Sequence, residues 1–342
     1  CRPPTSVCRR AVFVTISRAA KRDPVVSGGW KGLAPMNLEQ IKAVVAAYRP
    51  TTAADDMARL EFFEGIWQIQ QRHADAAGQA IDPSTLPGKD ELLDWYWACK
   101  PFLLQVPAAV DARRLAACAR ELASYLIEKG SFSQDACDYL KGLRWTEVVE
   151  AEPIDLAGSD PEGWIEAIAN DVIEEQGESD EAFERVRLTC MVLTLALRSQ
   201  LQPVAEAQLA SVRREVEDGA FEHIRPLRCP VCGGTATLAH VGPTASNKAN
   251  VRTLYCGQCG STWGFERVRC ACCGTQHQGH LDYLSVEGDE AHRVHVCSEC
   301  GGYMRTHFND PESRTAFVPE IEDVMMVKLT ALAEAGQLKA CE

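Results

Sequence analysis

The sequence has no apolar run long enough to cross a membrane. The longest, Leu188 to Leu197, is ten residues and is bounded by Arg187 and Arg198, about half of what a spanning helix needs, so it reads as a buried core helix. Basic charge is also in short supply: 35 Lys+Arg face 48 Asp+Glu, for a net charge of −13. A protein that neutralises phosphates needs a basic face, so a nucleic-acid partner is disfavoured. There is no Gly-rich phosphate loop, no G-x-S-x-G, no H-E-x-x-H and no convincing carboxylate pair. The sequence therefore makes no positive case for an enzyme, and no catalytic or cofactor-binding residue is assigned. Alternating strand patterns are almost missing before residue 220.

Cysteine, by contrast, is abundant, with 16 in 342 residues. Eight form four C-x2-C pairs: Cys229/Cys232, Cys256/Cys259, Cys270/Cys273 and Cys297/Cys300. Each of the first four recurs 41 positions later, and 23 residues separate the pairs within each unit, so the stretch is a tandem repeat of one four-cysteine unit. A glycine follows each pair (Gly233, Gly260, Gly274, Gly301). This is the grammar of a metal knuckle, in which glycine supplies a positive φ that turns backbone N–H groups toward the sulfurs. Two knuckles make one tetrahedral S4 site, so two metals are expected. Sequential pairing is the simpler arrangement, because each repeat is then self-contained; interleaved pairing stays open. Cys272, between two ligands in CACCG, falls outside the register and reads as a spare thiol. The remaining cysteines show no framework spacing, and several lie in apolar helical patterns, which suits a reducing compartment.

The chain divides by composition. Residues 1–35 read as a basic, poorly ordered leader whose membership of the native protein is open. Arg9-Arg10 has the look of a twin-arginine signal, but Arg18, Lys21 and Arg22 break the apolar stretch and no small-residue cleavage site follows, so export is rejected. Residues 36–222 read as an all-α domain. Its stripes include Leu60, Phe63, Ile66 and Trp67, then Leu92, Leu93, Tyr96 and Trp97, then Leu115, Cys118, Leu122, Tyr125 and Leu126 with Gly130 as a stop. Glu152 to Pro161 reads as a loop, and Pro203 is expected to close one long helix before a last one over Val204 to Glu217. The acidic run from Glu174 to Glu184, Glu178 included, is read as a solvated face.

Composition then switches to glycine, cysteine and β-formers. Residues 223–265 and 266–310 are the two ribbons, each expected to hold a short antiparallel sheet, with a mobile hairpin tip in GPTASNKAN. Residues 311–342 carry one amphipathic helix from Pro319 to Leu338, free to pack on the α domain or on a second subunit, which leaves a homodimer open. Seven of the eight histidines lie beyond residue 220. They are read as polar strand and loop residues, because the cysteines already complete two sites. Four thiolates suit Zn(II) or a rubredoxin-like iron, and spacing does not choose between them.

An α-helical first part followed by CPVCGG, RTLYCGQCGSTWGFERVRCACCG, HVCSECGGYMRTHF and a terminal helix resembles the FdhE family of formate dehydrogenase accessory proteins. The likeness is specific from about Leu227 to Phe308, and ARLEFFEGIWQIQQ adds a weaker match. The resemblance implies a cytoplasmic maturation factor that binds the catalytic subunit of a formate dehydrogenase, with metal on Cys229, Cys232, Cys256 and Cys259 and on Cys270, Cys273, Cys297 and Cys300, iron being favoured over zinc. Two alternatives stand beside it: a rubredoxin-like electron carrier or redox sensor, and a zinc-ribbon nucleic-acid binder, which the acidic charge disfavours.

Overall fold

A computed structural model describes residues 37–50, 52–79, 83–177, 179–218, 223–243, 250–309, 317–336 and 338–340. The expected leader over 1–35, the hairpin tip at 244–249 and Glu178 of the acidic run lie outside the described residues. Among the described residues ten α-helices come first: α1 (Leu38–Tyr48), α2 (Ala54–Gly78), α3 (Lys89–Trp97), α4 (Phe102–Gln105), α5 (Ala112–Lys129), α6 (Gln134–Gly142), α7 (Trp145–Glu150), α8 (Ile154–Ser159), α9 (Pro161–Gln176) and α10 (Asp180–Asp218). Their starts follow capping chemistry: Asn37, Asp111, Ser133 and Asp160 each accept a hydrogen bond from a backbone N–H in the first turn. Gly130 ends α5 by donating to the Leu126 carbonyl at 2.8 Å. No helix among the described residues is long and apolar enough to cross a membrane.

Three helical expectations need correction. Pro203 does not close a helix: α10 runs through it for 39 residues. Leu201, Ala205, Leu209 and Val212 extend the buried stripe of Val192, Leu193, Ala196 and Leu197 without a change of face, and that packing outweighs the roughly 3 kcal/mol an interior proline costs. The segment from Glu152 to Pro161 is not a loop, since it contains α8, pressed so closely on the preceding chain that a Cβ at Gly158 would collide with the Ala108 carbonyl oxygen. The C-terminal helix is two, α11 (Pro319–Met325) and α12 (Val327–Ala335), broken at Met326. Val318, Ile321 and Val324 pack against α1 and α2, whereas Met326, Leu329 and Ala333 pack against the sheet. One straight helix could not face both surfaces.

The strands are β1 (Leu238–Gly242), β2 (Val251–Tyr255), β3 (Thr262–Phe265), β4 (Leu281–Leu284), β5 (His292–Cys297), β6 (Gly302–Phe308) and a short β7 (Lys339–Ala340). Each repeat contributes an antiparallel triplet, β1–β2–β3 and β4–β5–β6. The triplets do not stand apart. β1 pairs parallel with β6, Ala239 opposite Thr306, giving one sheet in the order β3-β2-β1-β6-β5-β4, with β7 pairing the start of β6. The first strand of one copy thus abuts the last strand of the next, a head-to-tail joint of two like units. The middle of the sheet packs on both faces: Ala239, Leu254, Trp263, Phe265 and Met304 belong to the same core as the helices, while Leu238, Tyr255, Val294 and Tyr303 cluster with Leu329 and Ala333 of α12.

A buried polar triad ties the three layers. The Arg198 guanidinium of α10 pairs with the Glu320 carboxylate of α11, and the Tyr255 hydroxyl of β2 donates to the same oxygen at 3.1 Å. Arg198 and Glu320 are 7% and 8% exposed. Removing one partner strands the other charge in a dry site, so Arg198→Met should lower the unfolding free energy by about 3 kcal/mol. Arg198→Met with Glu320→Leu should recover most of that loss, as read by urea unfolding at neutral pH.

Candidate metal centres

Each C-x2-C pair folds as the same turn. The glycine N–H donates back to the carbonyl of the first cysteine: Gly233 to Cys229, Gly260 to Cys256 and Gly301 to Cys297 at 2.9 Å, and Gly274 to Cys270 at 3.0 Å. All four glycines have φ between 70° and 80°, a backbone state that L side chains avoid. The turn aims both sulfurs of a pair to one side. In the second repeat, amides also approach the sulfurs: Cys272 and Cys273 N–H reach Cys270 Sγ at 3.4 and 3.5 Å, and Gly302 N–H reaches Cys300 Sγ at 3.3 Å.

The sulfurs gather by sequential pairs. Cys229, Cys232, Cys256 and Cys259 form one quartet and Cys270, Cys273, Cys297 and Cys300 another, all sulfurs of a quartet lying within 4.8 Å of one another. The Sγ–Sγ distances are 3.6 Å for Cys229–Cys259 and 3.5 Å for Cys232–Cys256. They are 3.9 Å for both Cys270–Cys300 and Cys273–Cys297. A disulfide would need about 2.05 Å, whereas four sulfurs at about 2.3 Å from a central ion stand about 3.8 Å apart. The donor set and spacing fit a tetrahedral thiophilic ion, and both zinc and iron meet that description.

Proton chemistry points the same way. Burial pushes the Cys229 thiol well above its ordinary value, and hydrogen bonds among the sulfurs, that of Cys229 foremost, do so for Cys232. Burial also works against charge on Cys259, but hydrogen bonds from its three sulfur neighbours and Ser261 outweigh it and hold this thiol well below. In the second quartet burial drives Cys270 up and Cys300 up to about 12. Cys297 is lowered, because backbone N–H groups of Cys300 and Glu299 overcome its burial. Like charges this close cannot all form unaided, and a dication at the centre is what allows four thiolates.

The two quartets differ in setting. The first lies inside the main core, with Cys229 1%, Cys232 5% and Cys256 and Cys259 0% exposed. Its knuckle is sewn to α4, where Phe102 and Leu103 N–H donate to the Pro230 and Val231 carbonyls, each at 2.9 Å. The second is at the surface: Cys270 and Cys297 are buried, Cys273 and Cys300 exposed. Beside it runs a groove of about 290 Å³ lined in part by Arg252, Arg267, Arg269, Tyr283 and His295. Cys272 is not the spare thiol expected. It is disulfide-bonded, while the other described cysteines are free of disulfides, and its sulfur faces the Tyr303 carbonyl at 3.7 Å.

Reading the late histidines as ordinary strand and loop residues missed one grouping. His240, His292 and His307 come from β1, β5 and β6, and His292 and His307 meet Glu322 of α11. The excess of histidine after residue 220 was a signal, but strand register and the return of α11 decide which of them meet. His277 and His280 stay together in the exposed turn before β4.

No family model matches the chain. Curated proteins do. An FdhE homolog of Aquifex aeolicus is 28% identical over 151 residues, 43% of this chain and 50% of that protein. One from Shewanella baltica is 24% identical over 268 residues, 68% of this chain and 86% of its own length. One from Pseudomonas aeruginosa is 29% identical over 86 residues, 23% of this chain and 27% of its own. The match thus spans half or less of the length of two of these three relatives. The crystal structure of the FdhE protein from Pseudomonas aeruginosa aligns with 89% of this chain and 92% of its own at 16% identity and a TM-score of 0.49, a likeness too loose to carry weight. These matches share one name, and what they show is similarity to FdhE homologues over the stretches given.

Proposed function

We propose that this chain is a cytoplasmic accessory protein that binds the catalytic subunit of a formate dehydrogenase and assists its assembly or activation. The reading rests on one observation, the sequence similarity to FdhE homologues; the two cysteine quartets agree with it. In this reading Cys229, Cys232, Cys256 and Cys259 hold one metal ion and Cys270, Cys273, Cys297 and Cys300 a second, iron or zinc. A closed S4 shell has no open position for substrate, so the ions act through folding and surface shape rather than hydrolysis. The buried first quartet suits a structural ion. The second, with two exposed sulfurs beside an arginine-lined groove, suits contact with a client.

The same exposure favours a second reading, a rubredoxin-like electron carrier, because solvent-reached sulfurs offer a short path for an electron. Protein purified without oxygen from its host tests the carrier: reversible reduction of a ferric-thiolate chromophore supports it, and a colourless zinc protein overturns it.

Two outcomes are expected. In metal-loaded, anaerobic pull-downs the catalytic subunit of formate dehydrogenase should co-purify with this chain, and no association would overturn the leading proposal. Stripping metal with a chelator should open Cys273 and Cys300 to iodoacetamide within the folded state. Cys256 and Cys259 should react only on unfolding, by mass spectrometry of digested samples.

A further inference from the structure

Glu322 is wholly buried, yet it sits on the side of α11 that faces the sheet. Its Oε2 lies 2.8 Å from His292 Nε2, and its Oε1 lies 4.0 Å from His307 Nε2. The Tyr48 hydroxyl of α1 donates to Oε1 at 3.0 Å. The two imidazole nitrogens and a carboxylate oxygen all fall within 4.8 Å of one another. Ligands at 2.0–2.2 Å from a common ion stand about 3.3–3.6 Å apart in a tetrahedron, between the 2.8 Å and 4.0 Å that separate the two Glu322 oxygens from His292 Nε2 and His307 Nε2. Small side-chain shifts would equalise them.

What surrounds the three groups matters as much as their spacing. A metal-bound histidine characteristically gives its other ring N–H to a carboxylate or another fixed acceptor, which sets the tautomer and the ring plane. His292 Nδ1 lies 2.9 and 3.0 Å from the two Asp289 carboxylate oxygens. His307 Nδ1 lies 3.0 Å from His240 Nδ1. The His240 ring nitrogen is therefore placed to accept the His307 Nδ1 proton. Phe317 stacks on His240 at 3.9 Å and on His307 at 5.1 Å between centroids, fixing both rings.

We propose that His292, His307 and Glu322 form a third metal site, independent of the eight cysteines, that takes a divalent transition cation of the zinc class. Nitrogen and carboxylate donors in place of thiolates set its preference apart from the S4 centres. Its ligands come from β5, β6 and α11, so the ion would clamp the C-terminal helix onto the second repeat. This rests on the structure alone and stands whether or not the accessory function holds.

The test is Zn2+ stoichiometry on the full chain. After dialysis against excess free Zn2+, the wild-type protein should carry three ions, and Glu322→Gln and His307→Asn should each carry two with far-UV circular dichroism unchanged. His277→Ala with His280→Ala, which removes the exposed histidine pair, should retain three. A Co2+ titration adds a readout that needs no variant: the third equivalent should produce d–d absorption without added sulfur-to-cobalt charge transfer. A wild-type count that stops at two would overturn the site. So would a third ion that survives both ligand substitutions, or a third cobalt spectrum carrying thiolate bands.

Discussion

The four sulfurs of the first quartet lie within 4.8 Å of one another in a nearly dry interior, and that cluster is continuous with the core of the helical region. Cys256 and Cys259 are 0% exposed and share one continuous core with α5 and α10. The backbone of α4 is hydrogen-bonded to the first knuckle, and the Trp263 indole N–H is tied to the Pro226 carbonyl at 2.9 Å. A quartet this dry cannot carry four negative charges alone. Its cohesion and the helix packing are therefore one problem, and a defect in either would be felt in both.

The second repeat shows how the same local grammar serves a different end. Its knuckles reproduce the glycine conformation and the turn hydrogen bonds of the first, yet Cys273 and Cys300 reach solvent. The difference lies in position along the sheet. A head-to-tail joint through β1 and β6 puts one copy against the helical bundle and extends the other away from it. Duplicated sequence thus yields one interior cysteine quartet and one at the surface, a difference that the repeat unit does not itself encode.

The chain's last segment closes the assembly. α11 brings Glu320 to Arg198 and Tyr255, and Glu322 to Tyr48, His292 and His307. Two carboxylates two residues apart on one short helix therefore reach into different layers. Burying both is costly, and each is compensated by a specific cationic or hydrogen-bonding partner. These contacts explain why the terminal segment breaks at Met326: α11 is committed to α1, α2 and the polar clusters, and α12 to the outer face of the sheet.

Much of this was legible in the residues. The 41-residue register, the glycine after each pair and the switch from helical stripes to β-formers determined two repeated knuckle units behind a helical region. Those features are local: a C-x2-C-G turn closes within five residues, and a helix stripe repeats every three or four. The rest depended on partners distant in the chain. Whether Pro203 ends a helix was decided by the buried stripe of α10, and Gly158 was drawn into a helix by its fit on Ala108. Cys272 acquired a partner that its place between two ligands did not announce. The convergence of His292, His307 and Glu322 required β5 and β6 to pair in register and α11 to return across the sheet. Spacing along the chain determines which sulfurs can share a turn; only the folded sheet and the packing of its last helices decide which of them is shielded from water and which histidines meet a buried carboxylate.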